Sequence, residues 1–130
     1  LELLKGRDNI HVLGYTGDIP FLMGESDILV TKPGGLSITE AMAEEIPLVL
    51  IDAVGGLELY NLEFFVSNGA AVAGEKMSEL KNEVLSLIYD EDRRAEMRKK
   101  MEALKQEDSA GTICRILENI PDKFERVAAV

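Results

Sequence analysis

Between residues 29 and 51 the chain reads LVTKPGGLSITEAMAEEIPLVLI: an apolar run, two glycines behind a proline, a short helical stretch and a second apolar run. The runs at Ile28–Val30 and Pro47–Ile51 are near-continuous rather than alternating. Such strands, separated by a helix, are the mark of a parallel sheet covered on both faces. The same alternation continues. Glu58–Asn68 reads as a helix ended by Gly69, and Ala70–Ala73 as a small strand. A helix capped by Ser78 follows, with Leu80, Val84, Leu85, Leu87 and Ile88 on one side. Asp90 caps the next, with Glu91 and Asp92 in its first turn and Arg98, Lys99 and Lys100 later, as the helix dipole prefers. A last helix spans about Ser109 to Glu118. Upstream, Ile10–Leu13 is a short apolar run expected as a strand, Asp18–Met23 is helix-compatible, and LELLKGRDN reads as the end of a helix with the loop after it. The prediction is an α/β doubly wound, Rossmann-like parallel sheet with helices on both faces and four visible strands.

Composition narrows the functions open to such a sheet. A chain of 130 residues, 46% hydrophobic, buries one core and has no room for two. Its net charge of -10, from 14 basic and 24 acidic residues, excludes a nucleic-acid partner and any electrostatic gain at an anionic membrane. No apolar stretch approaches the roughly 20 residues of a spanning helix, and the first residues do not read as a signal, so the expectation is a soluble, intracellular chain. Cys114, the only cysteine, permits neither an internal disulfide nor a cysteine metal cluster, and is expected to be a small packed side chain. His11, the only histidine, lies in an expected strand, so no Ser-His-Asp set can be assembled. Met97, Met101 and Leu104 form a core stripe, and the charged residues around them a solvated face with i,i+4 pairs.

In doubly wound sheets, ligands sit beyond the carboxyl ends of the strands, where a strand-to-helix turn exposes free backbone N–H groups. Gly34 and Gly35 lie in such a turn. Lacking a Cβ, they allow positive φ and close approach of a bulky anion, while a helix starting near Ser37 points its positive end at the same spot. A phosphate or diphosphate fits that description, and a tight turn needing glycine for geometry alone is the competing reading. Neither GxGxxG nor GxxxxGK[ST] is present. Glu40 also has two readings: the last residue of an S-x-x-E capping box with Ser37, or a carboxylate accepting two hydrogen bonds from ribose hydroxyls. The second strand-to-helix loop, DAVGGLELYN, repeats the arrangement with Gly55 and Gly56, then Glu58 and Asn61 on one helical face.

With these residues in view, GYTGDIPFLMGESDILVTKPGGLSITEAMAEEIPLVLI, followed by GGLELYN and FFVSNGAAVAG, resembles the donor-binding half of GT-B glycosyltransferases. The likeness is strongest to monogalactosyldiacylglycerol synthases and bacterial processive diacylglycerol glucosyltransferases. It extends more distantly to the N-acetylglucosaminyltransferase of peptidoglycan synthesis. It covers residues 9 to about 75 well and the C-terminal helices loosely. The resemblance implies that Gly34 and Gly35, with Ser37 beside them, hold the diphosphate of a UDP-sugar. It gives the ribose hydroxyls to Glu40 and the uracil edge to Tyr15 and Thr16, largely by backbone. It turns Gly56, Glu58 and Asn61 toward the donor sugar. Leu57 stands where relatives commonly carry an amide that contacts the hexose, which leaves the donor sugar open. No catalytic residue, cofactor or metal is expected here.

The resemblance also implies that a catalytic base, an acceptor site and a membrane-binding surface lie in an N-terminal domain outside this sequence. The expected partners are then that domain and, through it, a lipid acceptor such as diacylglycerol. The whole enzyme is expected to be cytoplasmic and peripheral at the inner membrane face. The donor domain itself is expected to lack its first strands, so that Ile10–Leu13 either pairs beside Ile28–Val30 or leaves the main sheet. A strand-swapped homo-oligomer is one way to compensate. The main alternative is a non-catalytic α/β interaction module with structural glycine loops. A third, a UDP-sugar epimerase, requires acid and base groups that are not found here.

Overall fold

The computed structural model describes residues 6–106 and 108–120. It contains three strands, β1 (Leu29–Thr31), β2 (Leu48–Leu50) and β3 (Ala71–Ala73), all parallel in the order β1-β2-β3. Leu29, Val30 and Thr31 stand beside Leu48, Val49 and Leu50, which stand beside Ala71, Val72 and Ala73. Six helices surround them among the described residues: α1 (Ile19–Gly24), α2 (Gly35–Ala43), α3 (Gly56–Ser67), α4 (Met77–Tyr89), α5 (Glu91–Leu104) and α6 (Ser109–Glu118).

The two faces of β2 explain why its sequence shows no alternation. Leu48 and Leu50 pack with Ile38 of α2, Phe65 of α3 and Met101 of α5. Val49 points the other way, onto Leu87 of α4 and Met97 of α5. Successive strand residues face opposite layers, and both layers are apolar, so every position is apolar. Met97 and Met101, one turn apart, are both buried, as the expected core stripe requires, but belong to different layers.

Helices α2 and α3 end alike. Ile46 N–H donates to the Ala41 carbonyl at 2.9 Å and Glu45 N–H to Met42 at 3.2 Å, and Ala70 and Gly69 repeat the pattern onto Phe65 and Val66. This is the six-to-one, five-to-two closure that needs a left-handed residue after the helix. Gly69 supplies it with φ 71°, and Glu45 with φ 56°. The Glu45 carboxylate is anchored to Lys105 Nζ at 2.5 Å, tying the end of α2 to the residue following α5.

Several expectations change. Ile10–Leu13 forms no strand: it leaves the sheet, exposed, with a local turn bond from Ile10 N–H to the Arg7 carbonyl. His11 is therefore in irregular backbone. The visible strands number three among the described residues, and none pairs with the other side of β1. Helix α4 begins at Met77, so Ser78 is inside it. The Glu79 carboxylate does the capping, accepting from Glu75 N–H at 3.0 Å and Lys76 N–H at 3.3 Å. Asp90 caps α5 as expected, accepting from Arg93 N–H at 2.9 Å. Cys114 is exposed, because α6 buries no residue. The opening residues LELLK lie outside the described residues.

Candidate functional site

At the carboxyl end of β1 the chain passes through exposed Lys32 and buried Pro33 into Gly34, the residue before α2. Gly34 has φ −71° and ψ 136°, ordinary extended backbone, and Gly35, the first helical residue, has no positive φ either. A Cβ built on Gly34 or Gly35 meets nothing within 4 Å. The expectation that these glycines supply positive φ is thus overturned: neither backbone conformation nor a neighbouring atom requires them. Their bare surface faces open space. Among the described residues, no hydrogen bond takes the N–H groups of Gly35, Leu36 or Ser37, and no side chain caps the helix. Three main-chain donors at the positive end of α2 are therefore available to an anion.

Helix α2 starts two residues earlier than its sequence suggests, and this removes the capping box. Ser37 sits at the third helical position, half-buried, and Thr39 donates its hydroxyl to the carbonyls of Gly35 and Leu36. Glu40 is left exposed, its oxygens not committed to the helix start. It lines a cleft of about 260 Å³ with Ile19, Pro20 and Met23 of α1, Ala43 of α2 and Glu44 just after it. Tyr15 and Thr16 lead into α1. Tyr15 is fully exposed, and Thr16 is held by its hydroxyl, which donates to the Asp18 carboxylate at 2.9 Å and accepts from Asp18 N–H at 3.1 Å.

The second glycine loop is built differently. Asp52, Gly55 and Gly56 have φ of 54°, 53° and 56°, so here glycine serves the backbone. Glu58 turns back over this loop and accepts from Val54 N–H at 2.9 Å. Asn61, one turn further along α3, donates its side-chain amide to the Pro33 carbonyl at 2.9 Å. Lys32 and Asp52, at the ends of neighbouring strands, pair at 3.3 Å. The two loops are thereby fastened to each other. The sequence gives no sign of the Asn61 bond, since its acceptor is a main-chain carbonyl 28 residues away. Lys32 and Asp52 lie just beyond the carboxyl ends of the neighbouring strands β1 and β2, one position apart in the register.

A wider cleft, about 740 Å³, opens at the ends of β2 and β3, lined by Leu50, Asp52, Leu59, Ala73, Glu75 and Glu79 among others. Its carboxylates disfavour an anion, so the free N–H groups of α2 mark the better place for one. Among the described residues no cluster of His, Cys, Asp and Glu side chains is arranged to hold a metal ion, and no helix is long and apolar enough to cross a membrane.

The family model of glycosyl transferases group 1 matches residues 1–104. A processive diacylglycerol beta-glucosyltransferase of Staphylococcus carnosus (strain TM300) is 34% identical over 129 residues, covering 97% of this chain and 33% of the relative. One of Bacillus subtilis (strain 168) is 37% identical over 129 residues, covering 99% of this chain and 33% of the relative. The chain thus spans about a third of the length of the curated relatives it matches. No solved structure matches it. The chain belongs to the group 1 glycosyl transferases.

Proposed function

We propose that this chain is the UDP-sugar-binding part of a longer glycosyltransferase that moves a hexose to a lipid acceptor such as diacylglycerol. The observation that carries the reading is the pair Gly34 and Gly35: glycines that neither φ nor packing demands, beside three uncommitted N–H groups at a helix start. A diphosphate leaving group gains negative charge as its glycosidic bond breaks, and fixed main-chain donors with a helix dipole stabilise that charge without a metal ion. In this reading Gly34, Gly35 and Ser37 hold the diphosphate, Glu40 the ribose and the Tyr15–Thr16 backbone the uracil. Gly56, Glu58 and Asn61 face the sugar.

The names of the relatives in Staphylococcus and Bacillus support diacylglycerol as acceptor. Their greater length leaves room for an N-terminal domain that supplies the acceptor site and the catalytic base. The whole enzyme would work in the cytoplasm, peripheral at the inner membrane face. A second copy of the chain, exchanging strands across the free edge of β1, belongs to the same proposal.

The test is a titration of the chain with UDP, with ADP as control, followed by amide NMR. Shifts at Tyr15, Thr16, Gly34, Gly35 and Glu40 with UDP alone, abolished by Gly34→Val in a folded protein, are the expected result. Equal response to both nucleotides, or an unchanged response in the variant, would replace it with a non-catalytic interaction module.

A further inference from the structure

We infer that Asn61 is a positioning residue: its amide fixes the Pro33–Gly34–Gly35 backbone, so that the first N–H groups of α2 are aimed before an anion arrives. The inference rests on the nucleotide-binding reading and departs from it at one residue, since it commits the Asn61 amide to the protein rather than to the donor sugar. Three observations meet here. Pro33 is fully buried and has no N–H, so its carbonyl is the polar group by which another element can grip the turn. That carbonyl only accepts, which obliges Asn61 to present its nitrogen, and the half-buried contact is 2.9 Å long. The following Gly34 and Gly35 have no side chain to pack, a Cβ at either would meet nothing within 4 Å, and glycine backbone is the most costly to order.

Asn61 can act as a fixed point because α3 is itself fixed. Phe65, four residues on, is in the core, and the Glu58 bond to Val54 N–H holds the loop that enters the helix. The Lys32–Asp52 pair joins the same loops, but both partners are largely exposed and such pairs contribute little. The arrangement therefore shifts the ordering of two glycines from the moment of binding to the folding of the chain, which favours affinity.

The experiment uses the full chain with Asn61→Leu, which removes the donor at similar volume, and Asn61→Gln, which keeps an amide. Without ligand, Asn61→Leu is expected to move the Gly34 and Gly35 amide signals while those of Leu48–Leu50 and Ala71–Ala73 stay in place. UDP affinity falls about tenfold, the upper range for one hydrogen bond. Asn61→Gln recovers part of both. Lost affinity with unmoved Gly34 and Gly35 signals would mean that Asn61 touches the ligand directly, and unchanged affinity would mean that aiming is immaterial; either overturns the inference alone. Absence of UDP binding by the unsubstituted chain overturns the nucleotide reading and this inference together.

Discussion

At the scale of single residues, the four glycines of the two loops look alike in the sequence and differ in the structure. Both pairs follow an apolar run and precede a helix. Only Gly55 and Gly56 have positive φ. An alanine at Gly35 meets no atom and sits in a helix, so Gly35→Ala is expected to raise stability by about 0.4–1 kcal/mol in urea denaturation, through the unfolded chain, while weakening UDP binding. Gly56→Ala forces a Cβ into left-handed backbone and is expected to cost ~1 kcal/mol or more. A loss of stability at Gly35 would restore the purely structural account of that turn. The sign of φ depends on where the loop must go in three dimensions, which local residue types do not specify.

At the scale of elements, the helices were legible in the sequence to within a residue or two, with α6 matching its expected span and α5 its expected cap. Their apolar faces were less legible. The five-residue stripe on α4 divides: Leu87 is fully buried and Leu80 and Val84 half-buried, whereas Leu85 is 39% and Ile88 49% exposed. A stripe reports which side of a helix is apolar, and the width of the sheet beneath decides how much of it is covered. Leu87→Ala is accordingly expected to cost about 2–5 kcal/mol by chemical denaturation, and Leu85→Ala roughly 1 kcal/mol or less. Comparable costs would mean that the whole stripe is packed.

The start of α5 carries a pH dependence. A hydrogen bond from Arg98, with Arg94 beside it, holds the Glu91 carboxyl below its ordinary range. A lowered folded-state value means that the stabilisation is present above the unfolded carboxylate range and is lost as pH falls through the folded one. Glu91 is largely exposed, so the effect is small and salt-sensitive. Glu91→Gln is expected to flatten the acid limb of the stability curve slightly, with no change near neutral pH beyond the loss of these pairs. A flattening that survives high salt would point to some other carboxylate.

At the scale of the molecule, the parallel sheet with helices on both faces was legible because the run that forms β2 is buried on both faces, while which of the two expected courses Ile10–Leu13 takes, pairing or leaving the sheet, was not. That run has strand composition, and pairing depends on an edge that composition does not describe. Among the described residues β1 is an edge strand, and Val30, on the α4 face of the sheet, is 47% exposed. Helix α6 adds Ile113, Ile116 and Leu117, at helical spacing on one face, with Ile120 just beyond its end, all between 54% and 60% exposed. Contiguous apolar surface of this kind is a place of contact. A second copy of the chain can cover such a surface. The sedimentation coefficient of the full chain is therefore expected to rise with concentration, and Ile116→Lys with Leu117→Lys to suppress that rise at little cost in thermal midpoint, because both side chains already face solvent. Suppression by Val30→Lys instead would place the contact on the free edge of β1, as strand exchange requires. A coefficient independent of concentration in the unsubstituted chain would show that these faces are ordinary solvated surface, and the strand-swapped oligomer would be discarded.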